Sequence, residues 1–239
     1  LLHEQMKRLH ETLCIKVPKV YDWVTRQVDV PVQSFSGENG LTVLDFEGPS
    51  PTPEDFLNPC VELAAGGALT VECIITDENG NPVDPLARNS ILCTEIPQIG
   101  GRQNVNFDFP NGDTVRLQKV KVLKKGYFVV RLSNARGKSL TSVPQPFAVA
   151  EKFYLCAPPG TILQCEISEI ECDADIICNN GEFIQIDVSI NMCQSVQTEA
   201  TVKLEITADF CHPRPEIPFT CPPKPFPPQC PDIFPGCDN

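Results

Sequence analysis

Thirteen cysteines carry most of the chemistry open to this 239-residue chain. They stand at positions 14, 60, 73, 93, 156, 165, 172, 178, 193, 211, 221, 230 and 237. Such density points to an oxidising final environment in which disulfides persist. The odd count leaves at least one cysteine free, buried or bonded to another molecule. Cys172 and Cys178 flank the acidic segment DADII and are placed to close it as a loop. Cys165 and Cys193 lie on neighbouring expected strands and are placed to cross-link them. Connectivity does not follow from sequence, so these pairings stay open beside the other candidates Cys14, Cys60, Cys93, Cys156 and Cys211. Cys73 sits inside an apolar strand and reads as a small buried hydrophobe. Cys221, Cys230 and Cys237 fall in a proline-rich tail with no local core, so a bond to the body or to another chain is expected of them.

Other reactive constellations are missing. His3 and His10 lie near the N-terminus and His212 opens the tail, and none is placed for general acid–base work in a pocket. There is no G-x-S-x-G, H-E-x-x-H, P-loop or dinucleotide glycine pattern. His3-Glu4 followed by QMKRLH has the wrong spacing for a zinc helix, and the adjacent Cys211 and His212 do not face each other. No catalytic residue is assigned and no enzyme is expected. No C-x-x-C occurs, which argues against a zinc knuckle. Asp77-x-Asn79-x-Asn81 mimics the start of a calcium loop, but Pro82 replaces its glycine and Arg88 its bidentate glutamate, so a hairpin turn is favoured. Asp173 and Asp175 read as an exposed acidic loop. No metal or cofactor is expected.

The net charge of −12 argues against nucleic acid and anionic membranes, both of which demand a basic face. No apolar run reaches the roughly 18 residues of a membrane span. Charge is nevertheless segregated. Residues 102–138 hold nine basic side chains against two acidic ones, with Arg116, Lys119, Lys121, Lys124 and Lys125 as the densest patch. Residues 139–239 hold four basic against fourteen acidic. These are either two unrelated solvated surfaces or opposite faces for head-to-tail docking, a contact that builds a fibre or sheet when it does not close.

The elements that position these groups read as strands. Residues 1–13 have a helical stripe of Leu1, Leu2, Met6, Leu9 and Leu13. Residues 14–47 alternate as strands, with Pro18 and Pro31 marking ends or edges, and residues 48–59 read as a proline-rich linker. A first β domain is expected at 60–145, with strands at 68–76, 105–109, 114–123 and 127–132. Its turns would be DENGNPVD, PNGD and KKG, the Asn-Gly pairs supplying positive φ. A second follows at 146–211, with strands at 147–156, 161–172, 182–193 and 198–210. Short strands with turn signals every 8 to 12 residues or so predict an all-β chain of two antiparallel, immunoglobulin-like or jelly-roll-like sandwiches. Trp23, Tyr127 and Tyr154 are scattered and read as core or half-core. Residues 212–239 should be extended, near polyproline II. No signal peptide is visible, though the start at Leu1 is compatible with processing. No Asn-x-Ser/Thr acceptor occurs, which tilts toward a bacterial source.

Two resemblances enter at this point. LTVECIITDENGNPV resembles the opening strand and turn of bacterial immunoglobulin-like adhesin modules. CIKVPKVYDWV, FYLCAPPGTILQCEISEIECDA and MCQSVQTEATVKLEITADFCHPRP resemble cysteine-rich spore-surface proteins of endospore-forming Firmicutes. That second resemblance implies a self-assembling coat, exosporium or appendage subunit, locked by disulfides and laid down from the mother-cell cytoplasm. The expected partners are copies of the chain, with or without other spore-surface proteins, and residues 1–35 and 212–239 are the candidate docking arms. The expected location is the spore surface or the extracellular space. The alternatives are a monomeric adhesin-like module for a glycan or protein, which predicts an exposed aromatic patch, and a virion decoration protein, which the cysteine count disfavours.

Overall fold

Apolar and polar residues alternate along most of the chain, and the backbone follows with strands. The computed structural model describes residues 11–46, 58–63 and 67–208. In chain order these form β1 (Glu11–Ser36), α1 (Gly37–Leu44), α2 (Pro59–Glu62), β2 (Leu69–Thr76), β3 (Leu92–Glu95), β4 (Gln103–Asp108), β5 (Thr114–Asn134), β6 (Ser139–Thr141), β7 (Gln145–Leu155), β8 (Ile162–Asn179) and β9 (Glu182–Ala208). The described chain is all-β with two sheets, one of three strands in the order β1-β9-β8 and one of six strands around β5. It divides into two units, residues 20–199 and residues 1–19 with 200–239. In the smaller unit, Leu13, Ile15 and Val17 are half-buried and alternate with exposed Thr12, Cys14 and Lys16, as a strand with two unlike faces requires.

In the larger unit β5 is the spine of its sheet. One edge pairs antiparallel with β4, β3 and β2 in turn, and the other with β7 and then β6. The sequence places a turn at KKG (124–126), but β5 runs straight through it. Gly126 is the reason. It lies flat under the Phe147 ring, where an added Cβ would stand 2.7 Å from Cζ, so the glycine admits a neighbour rather than bending the chain. Gly126→Ala should cost about 1–3 kcal/mol by overpacking, read as a lowered midpoint in urea. An unchanged midpoint would show that the Phe147 ring shifts freely.

Other expectations are corrected at the same level. Glu11–Leu13, read as helical, begin β1, and residues 1–10 lie outside the described residues. Residues 14–47 are not all strand. Gly37, at φ +57°, ends β1 and α1 follows, burying Leu41 and Leu44. Residues 48–57 of the expected linker lie outside the described residues, and Asn58 caps α2 by accepting from the Cys60 N–H at 3.0 Å. The acidic segment 173–177 is part of β8, not a loop, and the strands expected at 182–193 and 198–210 are continuous as β9 through Ala208. Residues 11–35 of the expected arm belong to β1. Ser36 Oγ donates to Gln185 Oε1 at 2.8 Å, and Ser34 bonds Asp187. Pro18 and Pro31 are both exposed on β1, which is an edge strand where a missing N–H is tolerated.

The inner faces of the two sheets meet in one core. Phe128, Val130 and Leu132 of β5, Ile75 of β2 and Phe147 of β7 pack with Val30 and Phe35 of β1 and Ile186, Val188, Ile190 and Met192 of β9. The regions 60–145 and 146–211 both contribute to this cluster, and β7 of the second region pairs with β5 of the first. A smaller cluster gathers Val120, Val122, Phe153, Leu155, Ala157 and Val196. Full burial of each large apolar side chain contributes about 1.5–3 kcal/mol.

Candidate assembly faces, disulfide framework and a buried polar triad

Strand β8 is an edge of the three-stranded sheet and is tied to the rest of the body by three disulfides. Cys60 of α2 joins Cys178, Cys73 of β2 joins Cys172, and Cys93 of β3 joins Cys165. The loops are nested, closing 118, 99 and 72 residues. Cys165 and Cys172 are seven positions apart, an odd spacing that would put them on opposite faces of a regular strand. A bulge between Ile167 and Glu169 adds one residue to β8, so Cys165 faces with Val196 and Cys172 with Ile190, both inward.

The same register excludes the pairings suggested by proximity in sequence. Cys193 lies opposite Glu169 on the outer face, away from Cys165. Cys172 and Cys178 are held apart by six residues of extended strand, about 20 Å. Cys73 is a crosslink and not merely a buried hydrophobe. Cys156 and Cys193 are half-buried and have no disulfide partner among the described residues, Cys14 is exposed on β1, and Cys211, Cys221, Cys230 and Cys237 lie outside the described residues. The three disulfides fit an extracellular or secreted protein. Among the described residues no helix is long and apolar enough to cross a membrane.

The segregated charges fall on opposite outer faces of the body. On β5 the even positions 120, 122, 124, 126 and 128 point inward, leaving Lys119, Lys121 and Lys125 outward, and Lys121 stands directly opposite Lys152 of β7. Arg116 is exposed further along β5, its Nε 3.4 Å from Asn106 Oδ1. On the other sheet, Glu166, Glu169, Glu171, Asp173 and Asp175 of β8 are exposed and lie opposite outward residues of β9. Asp187 and Asp29 join that face through bonds with Ser34 and Asn191. The hydroxyl of Ser34 and the Gln185 amide hold the Asp187 carboxyl below its usual range.

Lys124 does not belong to the surface patch. Its side chain is 0% exposed and pairs with Glu151 of β7, 9% exposed. Gln194 of β9, 1% exposed, donates from Nε2 to the same Glu151 Oε2 at 2.6 Å. Gln194 Oε1 is buried with no hydrogen-bond partner among the described residues. Arg26 closes the triad from outside, donating to Lys152 O at 3.0 Å and reaching Glu151 Oε1 at 3.5 Å, with its guanidinium 4.2 Å from the Phe153 ring centre. Burial pushes the Lys124 ammonium's pKa down, and Glu151 restores only part of it. Burial alone would raise Glu151, but bonds from Gln194 and Lys124 outweigh it and hold the carboxyl low. Sequence reasoning missed Glu151 and Gln194. The available signal was parity, since Gln194 interrupts an inward row of Ile186, Val188, Ile190, Met192 and Val196.

The calcium-like segment is a turn. Asp77 Oδ1 accepts from the Asn79 and Asn81 N–H groups, both at 2.9 Å, and Gly80 takes φ +82°. Trp23, read as core or half-core, is 65% exposed on β1, Tyr154 is exposed against Phe107 at 5.1 Å, and Tyr127 is half-buried. The chain matches no protein-family model and has no significant match among curated proteins or solved structures.

Proposed function

We propose that this chain is a structural subunit of a spore-surface layer or appendage that assembles with copies of itself into a fibre or lattice. The observation that carries the assembly reading is the opposite charge of the two outer faces, Lys119, Lys121, Lys125 and Lys152 on one and Glu166, Glu169, Glu171, Asp173 and Asp175 on the other. Two copies stacked basic face to acidic face leave a free face of each kind, so the contact repeats without closing. The long edge strand β1 offers a second contact, because an edge presents unpaired backbone groups to a neighbour. The sandwich-like body is the rigid building block, and the disulfides stiffen it in an oxidising setting. The spore assignment itself rests on the sequence resemblance.

Negative-stain microscopy and a non-reducing gel of the oxidised protein test the reading. Polymers should form at low salt and disperse at about 1 M salt, where the screening length falls to roughly 3 Å. The Lys119→Glu/Lys121→Glu variant should stay dispersed at all salts. A uniform wild-type monomer at low salt would overturn the assembly reading in favour of a monomeric binding module, with Trp23 as its exposed anchor.

A further inference from the structure

Lys124, Glu151 and Gln194 come from three strands on two sheets and meet at one carboxylate oxygen. Lys124 Nζ contacts Glu151 Oε2, and Gln194 Nε2 donates to that same atom. A buried lysine beside a carboxylate is commonly only an ion pair. Here the third member is a primary amide whose carbonyl oxygen is buried without a partner among the described residues. An unsatisfied buried acceptor is destabilising, so the arrangement asks for a purpose. An amine, an amide and a shared proton carrier, sealed from water, are the components of an amide exchange.

We propose that Lys124 and Gln194 become joined by an intramolecular amide bond, with Glu151 as the catalytic proton carrier. Glu151 Oε2 takes a proton from the Lys124 ammonium. The freed amine of Nζ attacks Cδ of Gln194, and the carbonyl electrons move onto Oε1. As the tetrahedral carbon collapses, Glu151 returns its proton to Nε2 and takes the surplus proton from Nζ, and the Cδ–Nε2 bond breaks. The departing ammonia accepts that second proton from Glu151 and leaves as ammonium. One C–N bond forms and one breaks, Glu151 is regenerated, and no outside reactant is used. The position of Oε2, against both the incoming and the departing nitrogen, is the one that a single-residue proton relay requires. Proximity supplies the rest, since amine and amide are held together by the fold. Burial favours the neutral amine, and the Arg26 charge works in the same direction. The product would tie β5 in the middle of one sheet to β9 in the middle of the other, away from the disulfides along β8.

Intact mass after reduction and full denaturation decides the matter, using the whole chain aged for days at physiological temperature. Wild type should be lighter than its sequence by one ammonia, and its tryptic digest should contain a branched peptide joining the Lys124 and Gln194 segments. Lys124→Arg and Gln194→Met should keep their full mass, with circular dichroism confirming that they fold. The branched peptide matters because Asn79-Gly80 and Asn111-Gly112 can also shed ammonia as succinimides. Full wild-type mass with separate peptides would overturn the proposal. So would a wild-type ammonia loss no greater than that of Lys124→Arg, or a loss of water that puts the bond on Glu151.

Discussion

Complete reduction of the three disulfides should lower the unfolding free energy by about 10 kcal/mol, comparable with the whole stability of a domain. Closing the outer Cys60–Cys178 loop, which spans 118 residues, restricts the unfolded chain most. By chain entropy that first crosslink contributes about 5 kcal/mol. Each inner crosslink then closes only a short remaining ring of roughly 20–30 residues and adds about 3 kcal/mol. The nesting gives the mutants a characteristic order. Removing the Cys73–Cys172 bond alone should cost about 3 kcal/mol and leave a folded protein, whereas removing all three should leave none. Urea titrations followed by far-ultraviolet circular dichroism, with and without reductant, make the comparison. They are run in Lys124→Arg as well as in wild type, because a Lys124–Gln194 bond would close the chain again over a similar span. A reduced Lys124→Arg protein with an unchanged midpoint would show that the apolar core alone specifies the two-sheet fold.

Glu151→Ala should cost about 3–5 kcal/mol, because it leaves the Lys124 ammonium buried without its counter-charge. The Lys124→Met/Glu151→Leu double variant should recover most of that loss, since apolar side chains of similar volume avoid the desolvation altogether. A double variant as unstable as Glu151→Ala would mean that packing, not charge, is what the site supplies. The pH dependence has a definite sign while Lys124 is a free amine. The Glu151 pKa is lowered in the fold, so its contribution is present above the ordinary carboxylate value of 4.5 and is lost as pH falls through the folded value. The Lys124 pKa is also lowered, so between its folded value and the ordinary 10.5 the unfolded chain binds more protons and stability rises with pH. Wild type should therefore weaken in acid more than the double variant, and gain more in alkali.

The strand character of the chain is local and was legible. A period of two residues sets one wet and one dry face whatever the partner, and Val71, Cys73 and Ile75 or Ile186, Val188 and Ile190 show it directly. Turns at Asn79-Gly80 and Asn111-Gly112 were legible because positive φ is a property of those residues, at +82° and +89° for the two glycines. The edge character of Pro18 and Pro31, and the segregation of charge along the chain, were written in single positions or runs.

What the sequence could not settle depends on which distant segments face each other. Gly126 reads as a turn residue until Phe147 is known to lie over it. Lys124 reads as part of a basic surface until strand parity turns it inward to Glu151 and Gln194. The disulfide map needs the sheet order, the registers of β2, β3 and β8 and the bulge between Ile167 and Glu169, because one residue of slip sends a side chain to the other face. Residue type and spacing thus determined an all-β, crosslinked, charge-polarised chain. Tertiary structure alone decided the crosslinks and the buried triad, since register and face are fixed only when two sheets close over one core.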